Sequence, residues 1–507
     1  MLIVAGGVIG LAVLFPILRH YQLRFAVAKY IAELKAKGEP MDLAQVTPPS
    51  VPPDQNSAAD YQKAVSMLTT NWNVLGSNPP PAMRMVVPGK AMIGWNQPLI
   101  RDALITNTWE EAESALSAEK DALALLCLLP DHPTFDFKID FSMGPEKIQL
   151  LHLATSKKAA QRLAISTLCS LRRGDTASAG KNIQAILSLV NGLSHDRVVI
   201  SELVRIALAQ IALNVNWEYL QSTNVTDEQL AVLQRDWTSL EFIHAEERAL
   251  ELDRADDPIT LADWRNSNAA LRSYFDMWEN LGLQGLDGAS DHRITILENL
   301  SLNAKIYLWR FWWSYPDELR TLKVYNVLLD TVRKAETNCP MLAALHLQEA
   351  QLQKLSITTN SENLFWFGNP EKMDMHNILS SSATSLANVF NKEMKVETAR
   401  QLIIAAIALK RFHLKQGSYP ENLTELMPDF LPAVPFDPID DQPLRYRRHV
   451  DGTFLLYSIG NDGVDDGGNP KPSGDSQSLQ WQRGRDWVWP QPATPEEVQY
   501  YYAHPPK

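Results

Sequence analysis

Along most of the chain, apolar residues recur at steps of three and four, the period of a helix with one buried face. Ile200, Leu203, Val204, Ala207, Leu208, Ile211 and Val215 place such a face on a helix of about four turns. Thr226 followed by Asp227 and Glu228 predicts an N-cap and an acidic first turn, with Leu230, Leu233, Trp237 and Leu240 as the buried side. Arg172-Arg173-Gly174-Asp175 reads as a short turn between two helical runs. Pro145 and Pro258 stand where a helix can begin. Near the start, Tyr21, Ala28, Ile31 and Leu34 space a stripe that Gly38 stops. Proline then dominates: Thr47 to Pro53 reads as an extended polyproline linker, and Asn78-Pro79-Pro80-Pro81 as a second break. Loops with one short helix around 58–70 are expected between 39 and 107, a helical body over 108–392, and a polar loop over 356–392 within it. The fold class is mainly α: an N-terminal membrane helix, an irregular helical bundle or solenoid, then a small α+β module with an antiparallel hairpin (393–468) and a Pro/Trp-rich tail (469–507).

Residues 1–18, MLIVAGGVIGLAVLFPIL, carry no charge. About 20 apolar residues span a bilayer, so the run reads as a single-pass anchor with Tyr21 and Phe25 at the interface. A cleaved signal peptide is the rival, but the basic n-region it normally carries is missing. Arg19, Arg24, Lys29, Lys35 and Lys37 all follow the run, which by charge alone keeps the body on the cytoplasmic side.

The last quarter of the chain changes character. Val396, Ala399, Leu402, Ile403, Ala406 and Leu409 line a helix of about 20 residues that Gly417 stops. Then come Gly417, Tyr419 and Pro420, a short turn at Leu423 and Leu426, and Pro435, Asp437 and Pro438. Leu444–Tyr446 and Phe454–Ser458 read as strands around an Asp451-Gly452 turn. Tyr457, Ser458, Gly460, Asp462 and Gly463 close the series. In this order the motifs over 395–468 resemble the C-terminal half of the major pseudopilin of type II secretion systems. The resemblance implies a bacterial envelope protein at the inner membrane, its bulk periplasmic, opposite to the charge rule. It also implies calcium in the loop after the last strand, with Asp462, Asp465 and Asp466 as ligands and Asp475 as a late contributor. Calcium takes six to eight hard oxygens on a bendable loop, whereas a solvated acidic turn uses the same residues for backbone geometry alone. In the family the membrane helix runs straight into this helix behind a processing motif. Here an unrelated body intervenes, so polymerisation is not implied. Leu163–Leu193 resembles a tetratricopeptide-type hairpin, without a clean repeat period.

Charge and chemistry narrow the function. The 507 residues carry a formal net charge of −12, which disfavours nucleic acid as a partner. Cys127, Cys169 and Cys339 are isolated in apolar runs, so they read as buried hydrophobes. The common hydrolase, phosphate-loop, zinc-protease and dinucleotide motifs are missing. His244 with Glu246 and Glu247 offers too few ligands on one helix face for a metal, and reads as a solvated ion pair. Asp253, Asp256, Asp257 and Asp263 read as helix capping or exposed charge, with paired-carboxylate hydrolysis as the alternative. Trp309, Phe311, Trp312, Trp313 and Tyr315 read as core packing, with a membrane- or ligand-facing patch as the alternative. Trp481, Trp487 and Trp489 are expected to pin the tail, with an aromatic peptide-binding surface as their alternative. Together these point to a membrane-anchored, non-enzymatic scaffold or interaction protein of the envelope. An envelope hydrolase and a type II secretion accessory are the rivals.

Overall fold

The computed structural model describes residues 2–69, 82–101, 106–131, 134–141, 150–273, 304, 306–337, 339–355, 357, 383, 386–474 and 478–504. The chain is mainly helical, a bundle edged by small sheets. Helix α1 (Leu2–Ala36) runs through the uncharged segment and ends where Gly38 turns left-handed at φ 85°. Its second half packs on the body: Val27 and Leu34 are buried with Met41 and with Leu322 of a later helix. Thr47 and Pro52 adopt polyproline angles, as the linker prolines dictate. Helix α2 (Ala58–Ser66) seats Tyr61, whose hydroxyl donates to the His152 carbonyl at 2.8 Å.

The body begins with α3 (Trp109–Ala118) and α4 (Lys120–Leu126). Helices α5 (Leu151–Arg172) and α6 (Thr176–Gly192) form an antiparallel pair across the Gly174 turn, and Asp175 caps α6 by accepting from the Ser178 N–H at 3.0 Å. Helix α7 (Val199–Leu220) is the described helix long and apolar enough to cross a membrane. It is a core helix, with Trp217, Tyr219, Glu202, Arg205 and Glu218 all buried. Thr226 caps α8 (Asp227–Thr238) through a reciprocal box with Gln229, as its sequence predicts.

Helix α9 (Ile243–Asn266) corrects one expectation, because Pro258 lies inside it rather than at a start. A mid-helix proline loses a backbone bond and costs about 3 kcal/mol. Here the turns on either side bury Leu252, Ala255, Leu261 and Trp264, which holds the helix through the break. Pro145 lies outside the described residues. A π-helical turn at Trp309–Trp313 leads into α10 (Ser314–Glu336), which packs along α9 and against α1. Helix α11 (Met341–Lys354) follows, then α12 (Val389–Gln416), which buries seventeen of its 28 residues against α7 and α8. Gly417, φ 75°, ends α12 as expected.

The strands are short. β1 (Arg84–Val87) and β2 (Lys90–Met92) form a hairpin over Gly89 that proline punctuation concealed. β3 (Ile100–Arg101) pairs with β4 (Thr106–Asn107). In the C-terminal module β5 (Phe436–Asp437) pairs with β6 (Gln442–Pro443). The expected hairpin is β7 (Arg445–Arg448) against β8 (Phe454–Ser458), with Gly452 left-handed in its turn. The tail adds β9 (Trp487–Val488) to β8, and β10 (Gln491–Pro492) joins β2 in parallel. Helix α13 (Pro495–Ala503) closes the described chain against β1. Trp481, Trp487 and Trp489 are buried and pin the tail.

One apolar core runs without interruption from Ala58 to Trp489. Polar ties cross it between segments remote in sequence. The buried Glu218 carboxylate accepts from the Met83 and Gly94 N–H groups at 2.9 Å, and Trp217 donates to the Pro490 carbonyl at 2.8 Å. Gly192 lets the 134–137 run close on the end of α6: a Cβ there would lie 2.3 Å from the Phe135 ring. Gly192→Ala is therefore expected to destabilise the fold by roughly 1–3 kcal/mol, the cost of overpacking a filled core. Denaturant unfolding measures it, and an unchanged midpoint contradicts this account of the contact.

Candidate functional site

Three segments meet beside the end of α6 and enclose a cavity of about 300 Å³, at the small end of the range for small-molecule sites. Ser50 comes from the polyproline run, Asp136 and Lys138 from the extended 134–141 run, and His195 from the 3-10 turn Leu193–Asp196. Asn56 fixes the second wall, accepting from the Asp136 N–H at 2.9 Å and donating to the Asp136 carbonyl at 3.0 Å. The Lys138 ammonium bridges the Asp136 carboxylate at 2.5 Å and the Ser50 hydroxyl at 2.6 Å. Burial pushes Asp136 up, but Lys138 and the N–H groups of Val51 and Lys138 outweigh it and hold the carboxyl below its usual range. Behind the cavity Asp196 is buried, taking His152 Nε2 at 2.7 Å and the Ser201 hydroxyl at 2.7 Å. Phe137 stacks on His152 with centroids 3.9 Å apart.

Two backbone outliers flank this cavity. Lys138 has φ 56° and Arg197 has φ 53°, left-handed angles that ordinary side chains resist. Such strain costs on the order of 1–3 kcal/mol and concentrates at ligand sites. Burial lowers the His195 imidazole below the usual histidine range; Asp136 opposes this and Arg197 adds to it. Its buried Nε2 has no hydrogen-bond partner. The two lining hydroxyls are engaged, Ser50 by Lys138 and Thr47 by the Leu43 carbonyl, so the arrangement favours binding over nucleophilic attack.

The acidic loop of the C-terminal module is organised by protein donors. Asp462 accepts from the Val464 N–H at 3.1 Å, an Asx turn. Asp465 accepts from the Tyr457 hydroxyl and the Gly467 N–H, both at 2.9 Å, and faces Arg445 at 3.7 Å. Asp466 pairs with Arg485 at 3.6 Å. The three carboxylates do not form a ligand group among the described residues, and Asp475 lies outside them. The organising group is Asp486, fully buried, which accepts from the N–H groups of Asp466, Gly468 and Asn469. Asp437 does the same for the strand ends, accepting from Ile439, Ile459 and Ser458. Both aspartates stand beside an aromatic strand residue; the sequence shows Asp437 as part of a proline-flanked motif, whereas Asp486 was passed over.

The acidic stretch on α9 is placed differently from the expectation of capping or exposure. Asp263 is exposed, but Asp256 and Asp257 are buried and Asp253 is half-buried, facing the buried Asp317 and Glu318 of α10. Helical steps of three and four put these carboxylates on the buried side. Burial raises all three, and neighbouring carboxylates add to it at Asp253 and Asp257: Asp253 reaches about 8 and Asp256 about 6, although the Thr260 hydroxyl steadies the Asp256 anion. Glu246 likewise turns inward, to Glu393 of α12 and Glu202 of α7, where burial raises all three carboxyls. Of the aromatic cluster, Trp309 is core, donating to Asp317 at 3.4 Å, while Phe311 is 41% exposed. Cys127 and Cys169 behave as buried hydrophobes, with burial pushing their thiols up to about 11 and about 12. No protein family, curated protein or solved structure matches the chain.

The raised aspartates fix a pH dependence. The unfolded chain releases their protons near pH 4, whereas the fold holds them to about 6 at Asp256 and about 8 at Asp253. Between those limits the folded state binds more protons, so stability falls as pH rises. The melting temperature is therefore higher at pH 5 than at pH 8. Asp256→Asn recovers on the order of 3 kcal/mol at pH 8 at most. A melting temperature that rises from pH 5 to pH 8 contradicts this.

Proposed function

We propose that the chain is a single-pass, membrane-anchored scaffold of the bacterial cell envelope, its helical body serving as an interaction surface. The carrying observation is where α1 meets the body. Phe15, Ile17, Leu18, Tyr21 and Phe25 are exposed on α1, the extremes being Ile17 at 39% and Phe25 at 71%. At the same junction His20 Nδ1 lies 3.0 Å from the Phe311 carbonyl, its ring stacks on Phe311, and it meets Tyr315 edge-on at 5.0 Å. Tyr307 and Leu308, one turn before Phe311, are exposed as well. The result is an apolar, aromatic collar around the point where the uncharged segment leaves the body. Aromatic side chains of this kind seat at the membrane–water boundary, and exposed apolar side chains gathered at one site mark an interaction or membrane surface.

Within this reading the pseudopilin-like module is a cap on the body, and its resemblance supports a periplasmic location. Calcium at Asp462, Asp465 and Asp466 would add to the clip that Asp486 supplies. A second reading, an envelope hydrolase or small-ligand binder, is favoured by the cavity that Asp136, Lys138 and His195 line. In that case His195→Ala would abolish hydrolysis or ligand-induced stabilisation while leaving membrane attachment intact.

The test is fractionation of cells carrying the full chain. The protein is expected in the membrane pellet, resistant to alkaline carbonate and released by detergent, and cut by protease added to spheroplasts. Recovery in the soluble fraction, or release by carbonate, overturns the anchor. Protection from the external protease overturns the periplasmic placement alone.

A further inference from the structure

We infer that His244, Glu247 and Glu336 form a binding site for a divalent transition-metal ion of the zinc class, clamping the start of α9 to the end of α10. The inference is independent of the membrane reading.

Sequence placed His244 and Glu247 on one helix face, one ligand short of a site. The fold supplies the third from α10: His244 Nδ1 is 3.3 Å from Glu336 Oε1 and 3.7 Å from Glu247 Oε2, and one ligand atom from each residue lies within 4.8 Å of the other two. Zinc bonds nitrogen and oxygen at about 2.0–2.2 Å, which sets the edges of its tetrahedron at about 3.4 Å. The two distances to the imidazole bracket that edge, so the ion fits after a small closure of the carboxylates.

Glu247 is already oriented as a one-oxygen ligand. Its Oε1 takes Arg333 Nε at 2.5 Å, which leaves Oε2 toward His244. A group that holds the far oxygen of a metal-binding carboxylate fixes its aim. The charge balance also calls for a cation. Arg333 binds Glu39, Glu247 and Glu251, and Arg254 binds the other oxygen of Glu39. Glu336 adds a further carboxylate beside Glu247, and a cation at His244 would offset the repulsion between the two. Burial and the Glu247 charge both raise the Glu336 carboxyl, and His244 offsets only part of this.

The site is open to ions from solution, since the His244 side chain is 50% exposed. Three protein ligands leave a fourth position to water. The imidazole selects against calcium and magnesium, which prefer oxygen alone, and toward zinc and its neighbours.

The test uses the full chain in detergent, stripped with a chelator and titrated with zinc by calorimetry. Thermal unfolding is followed in parallel, and cobalt absorption serves as a second reporter. One equivalent of zinc is expected to bind and raise the melting temperature, and cobalt to show the visible bands of a tetrahedral ion. His244→Ala and Glu336→Gln should each weaken zinc at least tenfold, and millimolar calcium should not compete. His244→Gln serves as a second variant that keeps a polar side chain. No zinc binding by the parent chain, or equal binding by the parent and the His244 variants, overturns the proposal.

Discussion

The Arg333 guanidinium holds three carboxylates at once, Glu39, Glu247 and Glu251, and Glu39 in turn holds the buried Arg254. Burial raises the Glu39 carboxyl, but the two arginines more than reverse it and keep it below its usual range. This junction joins the end of α1 to α9 and α10 by charge, beside the apolar packing of Val27 and Leu34 on Leu322. Removing one partner would leave buried charge uncompensated, which is far costlier than the net value of the intact pair. The pose of α1, the aromatic collar around His20 and the aim of Glu247 toward His244 all depend on it.

Away from the junction the protein is held by one large core, with smaller apolar clusters around Val198 and Leu252 and around Val86 and Val498. Helix α12 lies at its centre, although in sequence it reads as the first element of a separate module. Its flanks pack on α7 and α8, and Gln234 of α8 donates to the Phe430 carbonyl beyond its end at 2.6 Å. The module is thus continuous with the body. The buried carboxylates along α9 and α10 cost stability as pH rises, and the fold tolerates them by a raised proton affinity at Asp253 and by the Arg265 partner of Glu318.

Local signals were legible and distant ones were not. The α7 face, the Thr226 cap, the Gly174 turn, the Gly417 stop and the β7–β8 hairpin each depend on a few neighbouring residues, so the sequence pattern located them. The β1–β2 hairpin was concealed by the prolines around it, and the pairing of β10 with β2 was missed because some four hundred residues separate them. The pairing of Glu336 with His244 was missed for the same reason, since spacing along one helix says nothing about what a second helix delivers. The burial of Asp256 and Asp257 was misjudged because charge was taken as a sign of exposure. The cavity at His195 left no motif, for its walls come from three separate stretches.

The most direct test of the account is the membrane depth of the collar. A nitroxide label at Tyr307→Cys, in a background without native cysteines and with the full chain in lipid bilayers, reports it by collision with oxygen and with a water-soluble nickel complex. The same label at Val450, a fully exposed turn of the C-terminal module, gives the aqueous reference. The account predicts that Tyr307 favours oxygen and is shielded from nickel, with Val450 the reverse. Equal nickel access at both positions would contradict a body seated on the membrane by its aromatic collar.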